Sequence, residues 1–218
     1  MKLYYHPIST YSQKVLLAFY ESGVHFEPKI VNLSSEERTD YLKIYPMGKI
    51  PLLVLNDGYR IPESSVIIEY LDTEVLTSRA FVPNDPVLAR KVRFFDRMAD
   101  LYLNNPLLTL YLESQKEVSQ RDEGQQERAF YQLKNLFDLL EDALKKGGWL
   151  FGESLTLADF AVIPPLALAC EIAPFHDYKN LQLYWENAAT LASFRRIQDE
   201  AEPYLAGLAA KTKTGPES

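Results

Sequence analysis

"YYHPISTYSQKVLLAFYESG", Tyr4 to Gly23, decides how the rest of the chain is read. An aromatic run stops at Pro7, a polar turn follows, and Val15, Leu16, Phe19 and Tyr20 recur at helical spacing until Gly23. This is a strand, a tight turn and an amphipathic helix. The turn sets Ser9, Thr10, Tyr11 and Ser12 in a row. A helix start takes a hydroxyl as its cap, and its unpaired N–H groups and positive dipole end also favour an anion. On the residues alone, the cluster reads either as a cap or as a place where one hydroxyl does chemistry.

Downstream, "HFEPKIVNL" (25–33) reads as a second strand, with Pro28 marking an edge. "SSEERTDYLKIY" (34–45) opens on Ser34 or Ser35 with two acids behind it, which predicts a short helix. "IPLLVLN" is a third strand, Asp57-Gly58 a hairpin turn, "YRIP" a fourth strand and "SSVIIEYLDT" a helix with Val66, Ile67, Tyr70 and Leu71 on one face. The order is that of an α/β layer over residues 1–75. Residues 76–87 read as a linker, with Asp85 as N-cap and Pro86 at the first helical position.

From there to residue 208 the pattern is helical. Val92, Phe95, Ala99 and Tyr102 mark one helix; Phe130, Leu133, Phe137, Leu140 and Leu144 mark another, stopped by Gly147-Gly148. "SLTLADFAVIPPLALACEI" is apolar nearly all round, so a central buried helix is expected, kinked or broken at Pro164 and Pro165. Two further helices and a polar tail, 209–218, complete the chain. The fold class is therefore α/β plus all-α.

Composition excludes several functions. With a net charge of −7, a pI near 5.1 and no Lys/Arg cluster, a nucleic-acid partner is not expected. One cysteine, Cys170, makes neither an internal disulfide nor a thiolate metal site and suits a reducing cytoplasm. No apolar run approaches a membrane span. The three histidines lack metal-ligand spacing, so no metal is expected. No G-x-S-x-G elbow occurs, and Gly48-Lys49 fails as a P-loop because Lys43 precedes it by five and Ile50 follows.

Three stretches remain: the hydroxyl turn, "YPMGKIPLL" (45–53) and "PESSVIIEYL" (62–71). Each alone also reads as a capped helix or an ordinary loop. Together with "SLTLADFAV", in this order and spacing, they resemble the cytosolic glutathione transferase family over almost the whole chain. The resemblance implies an N-terminal thioredoxin-like domain, a C-terminal helical bundle and a homodimer, with glutathione as co-substrate. Pro51 is then expected to be cis, and Ile50 to offer its backbone N–H and C=O to the cysteinyl part of glutathione. Glu63 and Ser64 would hold the γ-glutamyl group and Lys49 would approach the glycyl carboxylate. Thr156 and Asp159 would form a capping box.

The family's branches activate the thiol with Tyr, Ser or Cys. The "S-x-x-S-x-x-V" spacing back from Val15 assigns the role to Ser9, with Tyr5 and Thr10 as rivals; Ser12 or Thr10 is then left as the cap. No cysteine stands near Thr10, which disfavours a cysteine-based mechanism. The electrophile pocket is expected between the domains, with Tyr11, Tyr102, Asn105, Leu108 and Tyr111 as candidates. The expected activity is conjugation of the glutathione thiolate to a small electrophile, a detoxification chemistry. Two alternatives share the fold: a glutathione-dependent isomerase, whose "SSCSWRV"-like turn resembles "STYSQKV", and a non-catalytic regulator like the stringent starvation proteins. The starvation proteins tend to lack the hydroxyl that Ser9 supplies.

Overall fold

Alternation along the first strand sets the layers. In the computed structural model, which describes residues 1–76 and 81–213, β1 (Lys2–Tyr5) buries Leu3 and Tyr5 on one face and turns Tyr4 to the other. Two helices, α1 (Thr10–Ser22) and α3 (Ser64–Tyr70), pack on each other. Tyr5 and Phe19 of α1 both pack on Phe26, which puts α1 on the Leu3/Tyr5 face. On the Tyr4 face lies α2 (Glu37–Ile44), whose Tyr41 packs on Tyr4 with ring centroids 5.8 Å apart.

The sheet order is β2-β1-β3-β4, with β2 (Glu27–Ile30) parallel to β1, and β3 (Leu52–Val54) and β4 (Arg60–Pro62) antiparallel in succession. β2 is the edge that Pro28 predicted. Asp57-Gly58 makes the hairpin turn, closed by Gly58 N–H on the Leu55 carbonyl at 3.0 Å. One expectation fails here: α2 begins at Glu37, not at Ser34 or Ser35. Asn32 captures both serines in a turn, accepting from Ser34 N–H at 2.9 Å and from the Ser35 hydroxyl at 2.9 Å. Val66 also differs, standing 52% exposed while Ser64, Ile67, Ile68 and Leu71 take the buried positions.

The chain divides into two units: Met1–Glu74 with the residues from Thr190 onward, and Val75–Ala189. The last helix, α9 (Ala192–Lys213), therefore groups with the α/β layer and not with the helices that precede it. It buries Phe194, Ile197 and Ala201, and polar contacts tie it to α1. The Tyr20 hydroxyl donates to Glu200 at 2.7 Å, the Ser193 hydroxyl donates to Glu21, and the Arg196 guanidinium lies 3.9 Å over the Tyr20 ring. Residues 77–80 of the expected linker and 214–218 of the expected tail lie outside the described residues. Phe81, also in the expected linker, is fully buried and sits edge-on to Phe160.

The second unit holds α4 (Pro86–Ala99), α5 (Asn105–Ser114), α6 (Glu123–Ala143), α7 (Leu157–Ile172) and α8 (Lys179–Ala189). Asp85 caps α4 by accepting from Leu88 N–H at 2.7 Å. Between α4 and α5 the backbone widens into a π-turn over Asp100–Asn104. Pro106 has no N–H for the Tyr102 carbonyl, which accounts for that widening. The central helix α7 runs unbroken through Pro164 and Pro165. Its Asp159 carboxylate, fully buried, accepts from Thr156 N–H (2.8 Å), the Thr156 hydroxyl (2.7 Å), Leu150 N–H (2.9 Å) and the Tyr184 hydroxyl (3.1 Å). Phe130 departs from its expected core position and is 49% exposed.

Candidate active site

Sheet register brings the three singled-out stretches to one edge. Tyr4 pairs with Leu52, and Leu52 with Pro62. The C-terminal end of β1, the N-terminal end of β3 and the C-terminal end of β4 therefore stand side by side. The Ser9 turn leaves the first, Ile50-Pro51 enters the second and Glu63-Ser64 leaves the third. The Ile50–Pro51 peptide is cis.

The turn sorts its hydroxyls. Ser9 has extended backbone (φ −78°, ψ 116°) and is itself the N-cap of α1, its Oγ accepting from Ser12 N–H at 3.3 Å. The cap is thus not Thr10, which is already helical, nor Ser12. Ser12 is fully buried and its Oγ accepts from His6 N–H at 3.4 Å. Ser9 is half-buried, and as an acceptor from the backbone it keeps its own O–H to donate. Thr10 and Tyr11 are half-buried on the first turn of α1.

Tyr5 points elsewhere. Burial, then the charge of the neighbouring Glu200, push its pKa up to about 12. It lines a 390 Å³ cleft with Tyr20, Phe26, Arg196 and Tyr204, a cleft that Ser9, Ile50, Pro51, Glu63 and Ser64 do not line. Arg196, Glu200 and Tyr204 follow at four-residue spacing on one face of α9, a pattern visible in the sequence but not drawn into the site there. Tyr204 reaches the turn itself, its ring edge-on to His6 at 4.8 Å.

At the third strand end, Glu63 is the one non-glycine residue with positive φ among those described (φ 70°, ψ 120°). Such a conformation costs roughly 1–3 kcal/mol and persists where surrounding structure imposes it. It turns the chain sharply into α3 and places Ser64, 5% exposed, at the first helical position. A residue missed by sequence reading ties this turn to α1: Lys14, 1% exposed, donates through Nζ to Ser65 Oγ at 3.0 Å. A lysine inside an otherwise apolar helix face was the available signal.

The loop before β3 is held from below. Gly48 has φ 61° and lies so close to α2 that a Cβ would meet Leu42 Cδ2 at 2.9 Å. Lys49 is exposed, and its backbone carbonyl accepts the Tyr41 hydroxyl at 2.5 Å. In the second unit, Tyr102, Asn105 and Leu108 are exposed and Tyr111 is half-buried. Tyr102 lines a 350 Å³ groove there with Met98, Arg128, Tyr131 and Leu136. Among the described residues no group of three His, Cys, Asp or Glu side chains is placed to hold a metal, and no helix is long and apolar enough to cross a membrane.

The chain is similar to known proteins over most of its length. Residues 3–76 match the family "Glutathione S-transferase, N-terminal domain" and residues 123–186 match "Glutathione S-transferase, C-terminal domain". A glutathione S-transferase of Pseudomonas putida is 32% identical over 165 residues, 73% of this chain and 70% of the relative. A maleylacetoacetate isomerase of Pseudomonas aeruginosa is 24% identical over 208 residues, 93% of this chain and 98% of the relative. Among solved structures, a glutathione S-transferase of Methylobacillus flagellatus with glutathione bound superimposes with a TM-score of 0.81 at 26% identity, over 90% of this chain and 98% of the other.

Proposed function

The chain belongs to the glutathione S-transferase family, and from that premise we propose that it joins the thiolate of glutathione to a small electrophile, with Ser9 as the activating hydroxyl. The observation that carries the Ser9 assignment is its double role at the start of α1. Its oxygen accepts Ser12 N–H, which leaves the O–H to donate outward at the positive end of the helix. A free thiol titrates near 8.5, and a donor hydroxyl at such a site favours the thiolate and lowers that value. The thiolate sulfur then forms a bond to the electrophilic carbon, whose leaving group departs with the bonding electrons.

The remaining positions follow as one proposal. Ile50 and cis-Pro51 receive the cysteinyl part, Glu63 and Ser64 the γ-glutamyl group, and Lys49 the glycyl carboxylate. Tyr11, Tyr102, Asn105, Leu108 and Tyr111 contribute to the electrophile site. Tyr5 is set aside as the activator, because it lines the cleft of Arg196, Glu200 and Tyr204, which Ser9 does not line. Thr10 follows Ser9 inside the helix and remains the rival to exclude. A homodimer and a cytoplasmic location belong to the same reading; exposed Phe94 and Val66 are surfaces a dimer would cover.

A second reading within the family is glutathione-dependent isomerisation, favoured by the Ser9 turn and by the isomerase relative matched along nearly its full length. Incubation with glutathione and a panel of aryl halides and cis-olefinic diacids, scored by chromatography with mass detection for a thioether or for an isomer of unchanged mass and altered retention, separates the two. Formation of neither product overturns both.

A further inference from the structure

We infer that the Tyr41 hydroxyl is a positioning group for the glutathione site, aiming the Ile50 N–H at the cysteinyl carbonyl of the bound tripeptide; this rests on the glutathione reading above and deepens it. Tyr41 is the only buried residue of α2 and is 3% exposed, on a helix otherwise turned to solvent. An apolar side chain would satisfy that packing, where Val31 and Leu52 surround it and Ile50 lies against them. The phenol adds one thing, its donation to the Lys49 carbonyl at 2.5 Å.

That carbonyl and the Ile50 N–H belong to a single peptide unit. In a trans peptide the C=O and N–H point in opposite directions. The cis bond lies one residue later, at Ile50–Pro51, so the 49–50 unit is trans. Holding the Lys49 oxygen toward α2 therefore turns the Ile50 N–H away from α2. Among the described residues this N–H donates to no protein acceptor. A donor fixed in direction before binding spares the ligand the cost of ordering the loop. The close seat of Gly48 on Leu42 pins the same loop from its other end. Deep burial pushes the Tyr41 pKa upward, so the hydroxyl stays a donor across the ordinary pH range.

The test is a cycle of two changes read by calorimetry on the full chain. One is Tyr41→Phe, which removes a single oxygen. The other is on the ligand: glutathione against an analogue whose Cys–Gly amide is replaced by an uncharged trans-alkene, which lacks the cysteinyl carbonyl. The wild type is expected to bind the analogue about tenfold more weakly than glutathione, the worth of one well-formed hydrogen bond. In Tyr41→Phe, glutathione itself binds about tenfold more weakly and the penalty for losing the carbonyl largely disappears. A thermal melt confirms that the variant is folded at the assay temperature. If Tyr41→Phe keeps the wild-type Kd for glutathione and the full carbonyl penalty, the hydroxyl serves packing alone and the inference is overturned. If the wild type binds no glutathione, the functional reading falls first and takes this inference with it.

Discussion

Lys14 Nζ, on α1, donates to Ser65 Oγ, on the first turn of α3, at 3.0 Å, and the lysine is almost completely buried. It couples the turn that offers Ser9 to the turn that offers Ser64. A buried ammonium is retained only where its surroundings satisfy it. Lys14→Ala removes the stem and a donor together, and should lower stability by about 2–4 kcal/mol, seen as a fall in Tm. Lys14→Arg keeps the charge but not the fit of one donor on one hydroxyl. A loss of glutathione affinity that is larger in the alanine than in the arginine variant would identify the link as one that serves the site.

Tyr5 gives the pH prediction. Burial and the neighbouring Glu200 carboxylate both oppose the phenolate, so the pKa rises, to about 12, and the proton stays on the oxygen throughout the assay range. Any ionisation seen in the rate between pH 5 and 9 therefore belongs to another group. In Tyr5→Phe the midpoint of the pH–rate profile should not move. A midpoint shifted upward by about one unit or more would return Tyr5 to the thiol.

Glu63 holds a strained backbone conformation at the turn into α3. With φ at 70°, a glycine fits where glutamate is forced. Glu63→Gly should leave stability unchanged or raise it by about 1 kcal/mol, because relieved strain offsets the greater freedom of the unfolded chain. The same change should raise KM for glutathione. A variant that is both less stable and unaffected in KM would remove the case for functional strain.

Asp159 shows what the second unit depends on. Its carboxylate accepts four hydrogen bonds inside the protein, and burial pushes its pKa up while those bonds pull it down. Asp159→Ala strands two backbone N–H groups and two hydroxyls, and should cost about 3–5 kcal/mol in a denaturant titration. Asp159→Asn keeps the size but exchanges an acceptor for a donor facing other donors, and should recover only part of that loss.

Much of this was legible in the sequence because local chemistry and global fold agree. Pro7 and Gly23 bracket α1, Asp57-Gly58 makes its hairpin, and Asp85-Pro86 starts α4 where the cap rules put it. What stayed hidden depends on long-range contacts. Nothing local says that α9 belongs with α1, since that follows from Tyr20 meeting Arg196 and Glu200 across the chain. Ser34 and Ser35 look like helix caps until Asn32 competes for them. By sequence alone the hydroxyl cluster has spare members, with cap and activator on different residues. Ser9 caps α1, and the same cap leaves its proton free for the role proposed here. The Tyr41 and Lys14 anchors escaped notice because a tyrosine in a polar helix and a lysine in an apolar one look ordinary without their partners.

The central claim is that Ser9 stabilises the thiolate of bound glutathione. It is tested most directly by the thiolate absorbance near 240 nm of the glutathione complex, titrated with base in the wild type and in Ser9→Ala, with Thr10→Ala alongside. The expected result is a bound-thiol pKa clearly below the free value of about 8.5 in the wild type and in Thr10→Ala, and a return toward that value in Ser9→Ala. An unchanged, low pKa in Ser9→Ala would contradict the account.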